Sequence, residues 1–405
     1  MNALLLLAVL AADPAPLPSP LRLEQARQIA REHRAEIAAA RARARAFAER
    51  PAIVSALDDP MVSPSVDHLP FMLNGADASL NVEQRFPLSG VLGDRRRAAE
   101  ADSRRAGADA DRVSLDVELD AASAFLMLQE RREMARLLEE QRVLAEQMVR
   151  AATARYAAGT GPQADALRAQ IEASRLDGRR RSAAAEVRAA EVMLNVSLGR
   201  PADAPVPALD GAAMDASPPS LEAVRAAALG DRPELRAGSA EVDRAQAEIA
   251  VMQSMYAPMA MVRTGPSYTM GDGPGWMVMF GISVPLWQGK LRAGVAEAEA
   301  MAEMARADLT SMRRMVEGEA LSAREQVAGA RERFLSLRDE VIPKARQAID
   351  PSLAGYASGQ LPLVSVVEAA QALWMSQMEL ITAQFELGLA WARLERATGG
   401  KGAPR

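Results

Sequence analysis

The residues of this chain with the most capacity for chemistry are its methionines. Met252, Met255, Met259, Met261, Met270, Met277 and Met279 place seven of the 21 methionines in one 28-residue stretch, and Met61, Met72 and His68 stand in a corresponding stretch of the first half. Thioethers are soft ligands that suit Cu(I) or Ag(I), which makes Met255, Met259, Met261 and Met270 candidate metal ligands. The same residues equally suit irregular packing or a lipid-facing surface. Other reactive groups are sparse. The chain has no cysteine, which excludes disulfides, thiolate metal sites, a thiol nucleophile and a lipidated N-terminal cysteine. His33 and His68 are its two histidines, too few for a histidine-based metal centre. Acids and arginines such as Arg131, Arg132, Glu133, Arg136, Glu139 and Glu140 are spread in the manner of solvated helix faces and i,i+4 pairs. There is no Ser/His/Asp set, and Gly271-x-Gly273-x-Gly275 precedes a strand pattern rather than a helix, so it does not fit a nucleotide-binding fingerprint. The reading is a protein that is not an enzyme and carries no cofactor. A net charge of −5 leaves no nucleic-acid footprint.

The elements that carry these residues begin with an apolar run. Ala3 to Ala12 reads ALLLLAVLAA and is followed by a Pro-rich stretch to Pro20. That run is too short for a membrane-spanning helix, which needs ~20 residues, and it suits a secretory signal over residues 1–12, with Val9-x-Ala11 as the cleavage pattern. The basic n-region is missing, and a buried N-terminal segment is the alternative. No later stretch is an apolar helical span. The 405 residues are 49% hydrophobic but only 4% aromatic, and the abundance of Ala, Leu, Arg and Glu favours long, closely packed helices.

The chain is written twice. Leu23-Glu24-x-x-Arg27 with Arg34-x-Glu36 recurs 198 positions later as Leu221-Glu222-x-x-Arg225 with Arg232-x-Glu234, and Phe86-Pro87-Leu88 recurs as Val284-Pro285-Leu286. Tyr156-Ala157-Ala158-Gly159 with Pro162 recurs as Tyr356-Ala357-Ser358-Gly359 with Pro362, at an offset of 200. Each half therefore reads helix, strand, strand, long helix, helix. The first covers 13–200, with a helix over about 21–48, strands over about 60–69 and 77–88, and a helical hairpin over about 90–198. A Pro-rich linker, 201–218, separates it from the second, 219–399. There a helix covers about 219–254, strands cover about 257–267 and 275–286, and a hairpin covers about 288–397; residues 400–405 form a tail. Asp94 to Tyr156 would reach roughly 95 Å as one helix. Heptad spacing marks a packing seam at Met134, Leu137, Gln141, Leu144, Met148 and Ala151. A second runs through Leu373, Gln377, Leu380, Gln384, Leu387, Trp391 and Leu394. Pro343 and Pro351 predict a kink or break late in the second long helix.

The strand segments alternate. Trp276, Val278, Phe280, Ile282 and Val284 share one face; Ala78, Leu80, Val82, Gln84 and Phe86 share another, opposite Ser79, Asn81, Glu83 and Arg85. Such segments match strands of a transmembrane barrel, although a sheet packed on helices gives the same alternation. Four strands cannot close a barrel, and open edges are not tolerated in lipid. Spanning a membrane would thus require oligomerisation: two copies give 8 strands and three give 12.

Over about residues 21–399 the sequence resembles the TolC-like outer-membrane efflux proteins. The residues that carry the resemblance are Arg155-Tyr156-Ala157-Ala158-Gly159 with Asp165-Ala166-Leu167 and Ala169-Gln170, together with Pro87-Leu88-Ser89-Gly90 and Pro285-Leu286-Trp287-Gln288-Gly289 at the strand-to-helix junctions. The second copy of the turn, Gly355-Tyr356-Ala357-Ser358-Gly359, departs from the family pattern by having Ser365 where Asp is usual. The resemblance implies a mainly α fold with a small β part. It also implies a homotrimer: a 12-stranded outer-membrane β-barrel continued by a periplasmic α-helical coiled-coil tunnel. Its implied role is a passive conduit in the outer membrane of a Gram-negative bacterium. It would receive substrate from a periplasmic adaptor and an inner-membrane pump of the RND type. Tyr156, Gly159, Gly161, Asp165, Tyr356 and Gly359 would then form the periplasmic tip that docks the adaptor. Among subgroups the resemblance points to the heavy-metal branch. The alternative is a structural coiled-coil scaffold, exported or soluble, whose strands form a small cap.

Overall fold

A computed structural model describes residues 16–67, 77–211, 216–269 and 271–400. The expected signal segment, His68, Met72, Met270, loop residues 73–76 and tail residues 401–405 lie outside the described residues. In chain order the elements are β1 (Leu21–Arg22), α1 (Leu23–His33), α2 (Ala35–Val54), β2 (Met61–Asp67), β3 (Asp77–Pro87), α3 (Val91–Ala157) and α4 (Gln163–Ser197). Then follow β4 (Leu209–Asp210), α5 (Leu221–Asp231), α6 (Pro233–Ser254), β5 (Met259–Thr269), β6 (Gly273–Ser283) and α7 (Gln288–Ser336). A π-helical turn (Leu337–Val341) leads into α8 (Ile342–Gln347), α9 (Ile349–Ala357) and α10 (Leu363–Ala397).

The helix lengths follow from composition. α3 runs unbroken for 67 residues because nothing in it removes a backbone donor or forces a turn. α7 runs for 49 residues and then meets Pro343 and Pro351. Proline cannot donate to the preceding turn and its ring crowds the carbonyl four residues back; the helix widens into the π turn just before Pro343 and interrupts at Ala348 before Pro351. The single helices expected over 21–48 and 219–254 are each two. The breaks fall at Arg34 and Arg232, both in extended conformation (φ −70°, ψ 123° and φ −65°, ψ 134°). Each guanidinium grips the carboxylate two residues on, Arg34 with Glu36 at 2.8 Å and Arg232 with Glu234 at 3.0 Å. The duplicated Arg-x-Glu is thus the signature of a helix break.

The chain forms two compact units. One comprises Met1–Ala38, Val113–Asp231 and Val316–Arg405. Its core includes Leu21, Leu23, Ile37, Phe125, Leu128, Leu194 and Leu198, and further along Leu138, Met148, Leu176, Tyr356, Leu363, Val366 and Trp374. The 201–218 segment is more than a linker: Leu209–Asp210 pairs in parallel with Leu21–Arg22, and Arg132 donates to the carbonyl of Pro207 at 2.6 Å. Of the expected seams, Leu137, Gln141, Met148, Leu387, Trp391 and Leu394 are buried, whereas Gln384 is exposed and Ala383 and Ala390 take the interior instead. Small residues occupy the seam because helices in this unit approach closely.

The other unit comprises Ala39–Arg112 and Arg232–Met315. Here Ala245, Ala302 and Ala305 form the helical contact, and four strands form one antiparallel sheet in the order β2-β3-β5-β6. The second pair of strands spans 259–269 and 273–283, so its turn is tighter than the expected strand ends imply. Gly273 supplies that turn's left-handed residue (φ 78°), a conformation that favours glycine.

Candidate functional site

The sheet is apolar on its open side and polar on the other. Val62, Leu80, Val82, Trp276, Val278, Phe280 and Ile282 are all exposed, with Phe280 at 78%. Register places Val62 beside Val82, Val262 beside Phe280, and Ala260 beside both Phe86 and Ile282. Trp276 donates its indole N–H to Thr264 Oγ1 at 2.7 Å on the same face, so the ring meets its surroundings with its one polar group satisfied. On the opposite face Ser65 and Ser79 share a 2.7 Å hydrogen bond and Asn81 donates to Ser79. Glu83 is 3% exposed and accepts from Arg85 Nε at 3.1 Å and Arg263 Nη2 at 2.5 Å. A water-soluble sheet puts its apolar face inward; this one reverses that order, as lipid-facing strands do.

Strand packing depends on one glycine. A Cβ on Gly265 would stand 1.8 Å from the Leu80 carbonyl oxygen. The backbones of β3 and β5 approach there closer than any side chain allows, beside Pro266, which has no N–H to give the ladder.

Below the sheet, Leu57, Arg85, Arg95, Ser254, Met255 and Met259 help line a cavity of about 310 Å³. Met261 lies on the polar sheet face with Met277 and Met279. The four candidate ligands therefore divide between the cavity, the sheet and a position outside the described residues. No group of three or more His, Asp or Glu able to hold a metal occurs among the described residues.

The two duplicated helical turns lie in the other unit. After α3, Gly159 (φ 70°) donates to the Tyr156 carbonyl at 3.0 Å, and Thr160 and Gly161 donate to Arg155 O at 2.9 and 3.1 Å. After α9, Gly359 (φ 78°) donates to Tyr356 O at 3.0 Å, and Gln360 and Leu361 donate to Gly355 O at 2.8 and 3.0 Å. Pro162 and Pro362 then start α4 and α10 in matching extended conformations. The turns share a backbone and differ in side chains. Tyr356 is 1% exposed and Tyr156 47%. The Arg155 guanidinium covers the Tyr356 ring and donates to its carbonyl oxygen at 2.6 Å, while Tyr356 Oη donates to Asp165 at 3.4 Å. Burial, reinforced by the Asp165 charge, pushes the Tyr356 phenol above its ordinary pKa. Of the six residues expected at the tip, Tyr356, Gly161 and Gly359 thus lie against Arg155, Asp165 bonds the Tyr356 hydroxyl, Gly159 closes the same turn, and Tyr156 is exposed. Arg155 itself is the member that spacing alone did not single out. Its signal was the asymmetry of the repeat, which puts Gly355 in the equivalent position; a Cβ there would lie 2.7 Å from Leu361 Cδ1.

This fold, a duplicated helical hairpin with a four-stranded inverted sheet, is that of the outer-membrane channels. The chain superposes on CusC, a protein described in terms of transmembrane channel formation, with a TM-score of 0.82 at 14% identity, covering 96% of this chain and 99% of CusC. Residues 224–400 match the family model described as outer membrane efflux protein. The outer membrane efflux protein BepC of Brucella suis is 25% identical over 287 residues, 69% of this chain and 62% of BepC. The cobalt-zinc-cadmium resistance protein CzcC of Cupriavidus metallidurans is 24% identical over 329 residues, 80% of this chain and 76% of CzcC. The chain is thus similar to the TolC-like outer membrane efflux proteins, by sequence over residues 224–400 and by fold over nearly its whole length. This likeness supports a place in the outer membrane of a Gram-negative bacterium, with a large periplasmic part.

Proposed function

We propose that the protein is the outer-membrane channel subunit of a tripartite efflux system, a passive conduit and not an enzyme. The observation that carries this reading is the inverted sheet with two open edges. β2 and β6 border the sheet, and its apolar face is exposed from Val62 to Ile282. Uncovered backbone edges are not stable in lipid, so three copies join β6 of one to β2 of the next and close a barrel of 12 strands. The polar face then lines the lumen and the apolar face meets outer-membrane lipid. The helices continue the conduit as a periplasmic tunnel, and the turns at Gly159 and Gly359 form its far end, where a periplasmic adaptor docks and an inner-membrane RND-type pump delivers substrate. A soluble coiled-coil scaffold would have to cover Trp276, Phe280 and Ile282. The kinship with CzcC supports a metal ion as cargo.

Membrane fractionation, followed by electrophoresis of the extracted protein heated and unheated, tests this. The expected result is recovery in the outer membrane as a heat-dissociable trimer. Val278→Arg, at the middle of β6 on the exposed apolar face, is expected to abolish recovery, since arginine on the lipid face at the midplane costs about 2–4 kcal/mol per copy. A soluble monomer would overturn the reading.

A further inference from the structure

The methionines of the sheet are sorted by face. All five in the described strands, Met61, Met259, Met261, Met277 and Met279, stand on the polar face, and the opposite face carries Val, Leu, Phe, Trp and Ile without a single Met. Residues serving as apolar filler or lipid contacts have no reason to avoid the apolar face. The register also orders them. Met259 lies opposite Ser283; one row further on the same face Met261 lies opposite Gly281; the next row reads Met61, Glu83, Arg263, Met279 across all four strands; and Met277 follows, opposite Gly265. Rows on one face are about 6.6 Å apart, so the sulfurs are distributed over roughly 20 Å. Met261 leans over Gly281, where a Cβ would stand 2.7 Å from its Cε, and so towards β6. There Met279 is its diagonal neighbour, within reach of long side chains. Met61, Met259 and Met279 are exposed, Met61 at 51%.

The surrounding charges select among cations. Glu83, the carboxylate in the central row, is held by both Arg85 and Arg263, which leaves no carboxylate free in that row for a hard cation and a net positive charge. Repulsion from that charge doubles for a divalent ion relative to a monovalent one. Asp67 and Asp77 share this face three rows from Glu83, beyond the methionines; within the methionine rows the soft donor on offer is thioether sulfur, which suits Cu(I) and Ag(I).

We propose that the polar face of the sheet is a thioether track that takes soft monovalent cations, Cu(I) or Ag(I), in a series of exchangeable sites centred on Met261 and Met279. Its role as a lumen path rests on the conduit reading above. The track sets the chain's metal chemistry apart from that of the divalent cobalt and zinc in the name of its relative CzcC.

The test titrates the detergent-purified trimer with silver nitrate in chloride-free buffer, and with a zinc salt in parallel, by calorimetry. Wild type is expected to bind silver and to give no zinc isotherm that depends on the track. M261L/M277L/M279L, whose substitutions conserve volume, is expected to weaken silver binding about tenfold or more, a change of about 1.4 kcal/mol or more. M301L/M304L/M315L, altering exposed helix methionines, is expected to leave it unchanged. Equal silver binding by wild type and the track variant overturns the proposal, as does equal loss in both variants. X-ray absorption of silver-loaded wild type keeps the test independent of how the variants fold: at least two sulfur neighbours are expected, and a shell of oxygen and nitrogen alone overturns it. Fractionation of the same preparations separates the two readings. A trimer in the outer membrane that ignores silver removes the track and leaves the conduit. Absence of that trimer removes the lumen path together with the conduit.

Discussion

The guanidinium of Arg155 lies 4.6 Å from the centroid of the Tyr356 ring, although 201 positions separate the two residues. Arg155 lies in the last turn of α3 and Tyr356 in the last turn of α9, so the contact joins the two halves of the duplicated chain. Both side chains that hold Tyr356, Arg155 and Asp165, come from the first half, where the second half has Gly355 and Ser365. Duplication supplied the backbone, and divergence supplied the tie.

Removing that tie should loosen the turns. Arg155→Ala is expected to raise the single-channel conductance of the trimer in planar bilayers, because it deletes a cation–π contact and the hydrogen bonds to Tyr356 O and Thr160 O, together worth about 1–3 kcal/mol. Arg155→Lys should restore little, since an ammonium lacks the planar fork that stacks on the ring while donating to the carbonyl. Tyr356→Phe removes only the 3.4 Å bond to Asp165 and should change conductance far less. Unaltered conductance in Arg155→Ala would show that the contact does not hold the turns.

Gly159 and Gly359 both have positive φ, where a β-branched side chain is strained by about 1–3 kcal/mol. Replacing both with Val should impair export while the heat-dissociable trimer persists, because the strain falls in the helical turns and not in the sheet. Undiminished transport by the double variant would remove these turns from the functional site.

Gly265→Ala puts a methyl group 1.8 Å from the Leu80 carbonyl oxygen. Backbone on both sides leaves no flexible atom to yield, so trimer recovery from the outer membrane should fall sharply. Gly271→Ala meets nothing within 4 Å and serves as the matched control. Equal recovery of both variants would mean that β3 and β5 separate more readily than their register suggests.

Glu130 is buried on α3, and burial raises its pKa above the ordinary carboxylate value of 4.5, with Thr382 donating to it at 3.3 Å. A raised carboxylate favours the protonated form in the folded protein. Its stability contribution is therefore complete below the unfolded pKa and is lost as pH rises through the folded one. Glu130→Gln keeps an acceptor for Thr382 and removes the charge. Melting curves should show it a few degrees more stable than wild type at pH 7–8, with the difference vanishing near pH 4. A difference independent of pH would point to packing instead.

Much of the fold was legible because it is local. An unbroken run of helix formers is enough for α3, two prolines disturb the helix after α7, and the repeated Tyr-x-x-Gly with a following Pro writes each turn. Strand alternation told the two faces of β3 and β6 apart. It did not tell which face would be covered, since period two reads the same for a soluble sheet and a membrane strand. Nor did it distinguish a helix from two helices at Arg34 and Arg232, where the break depends on an ion pair and a single extended residue.

Tertiary structure decided what depends on register and on pairs far apart in the chain. Facing Met61, Met261, Met277 and Met279 onto one polar surface required the alignment of four strands, and a shift of one residue would have turned a strand's whole set to the other side. The burial of Tyr356 and the exposure of Tyr156 came from Arg155 and Asp165 reaching across the repeat. The sequence by itself determined the elements and their order, because hydrogen bonding within helices and pleating within strands are short-range. The assignment of faces and partners belonged to the folded chain, because those contacts exist only once distant segments meet.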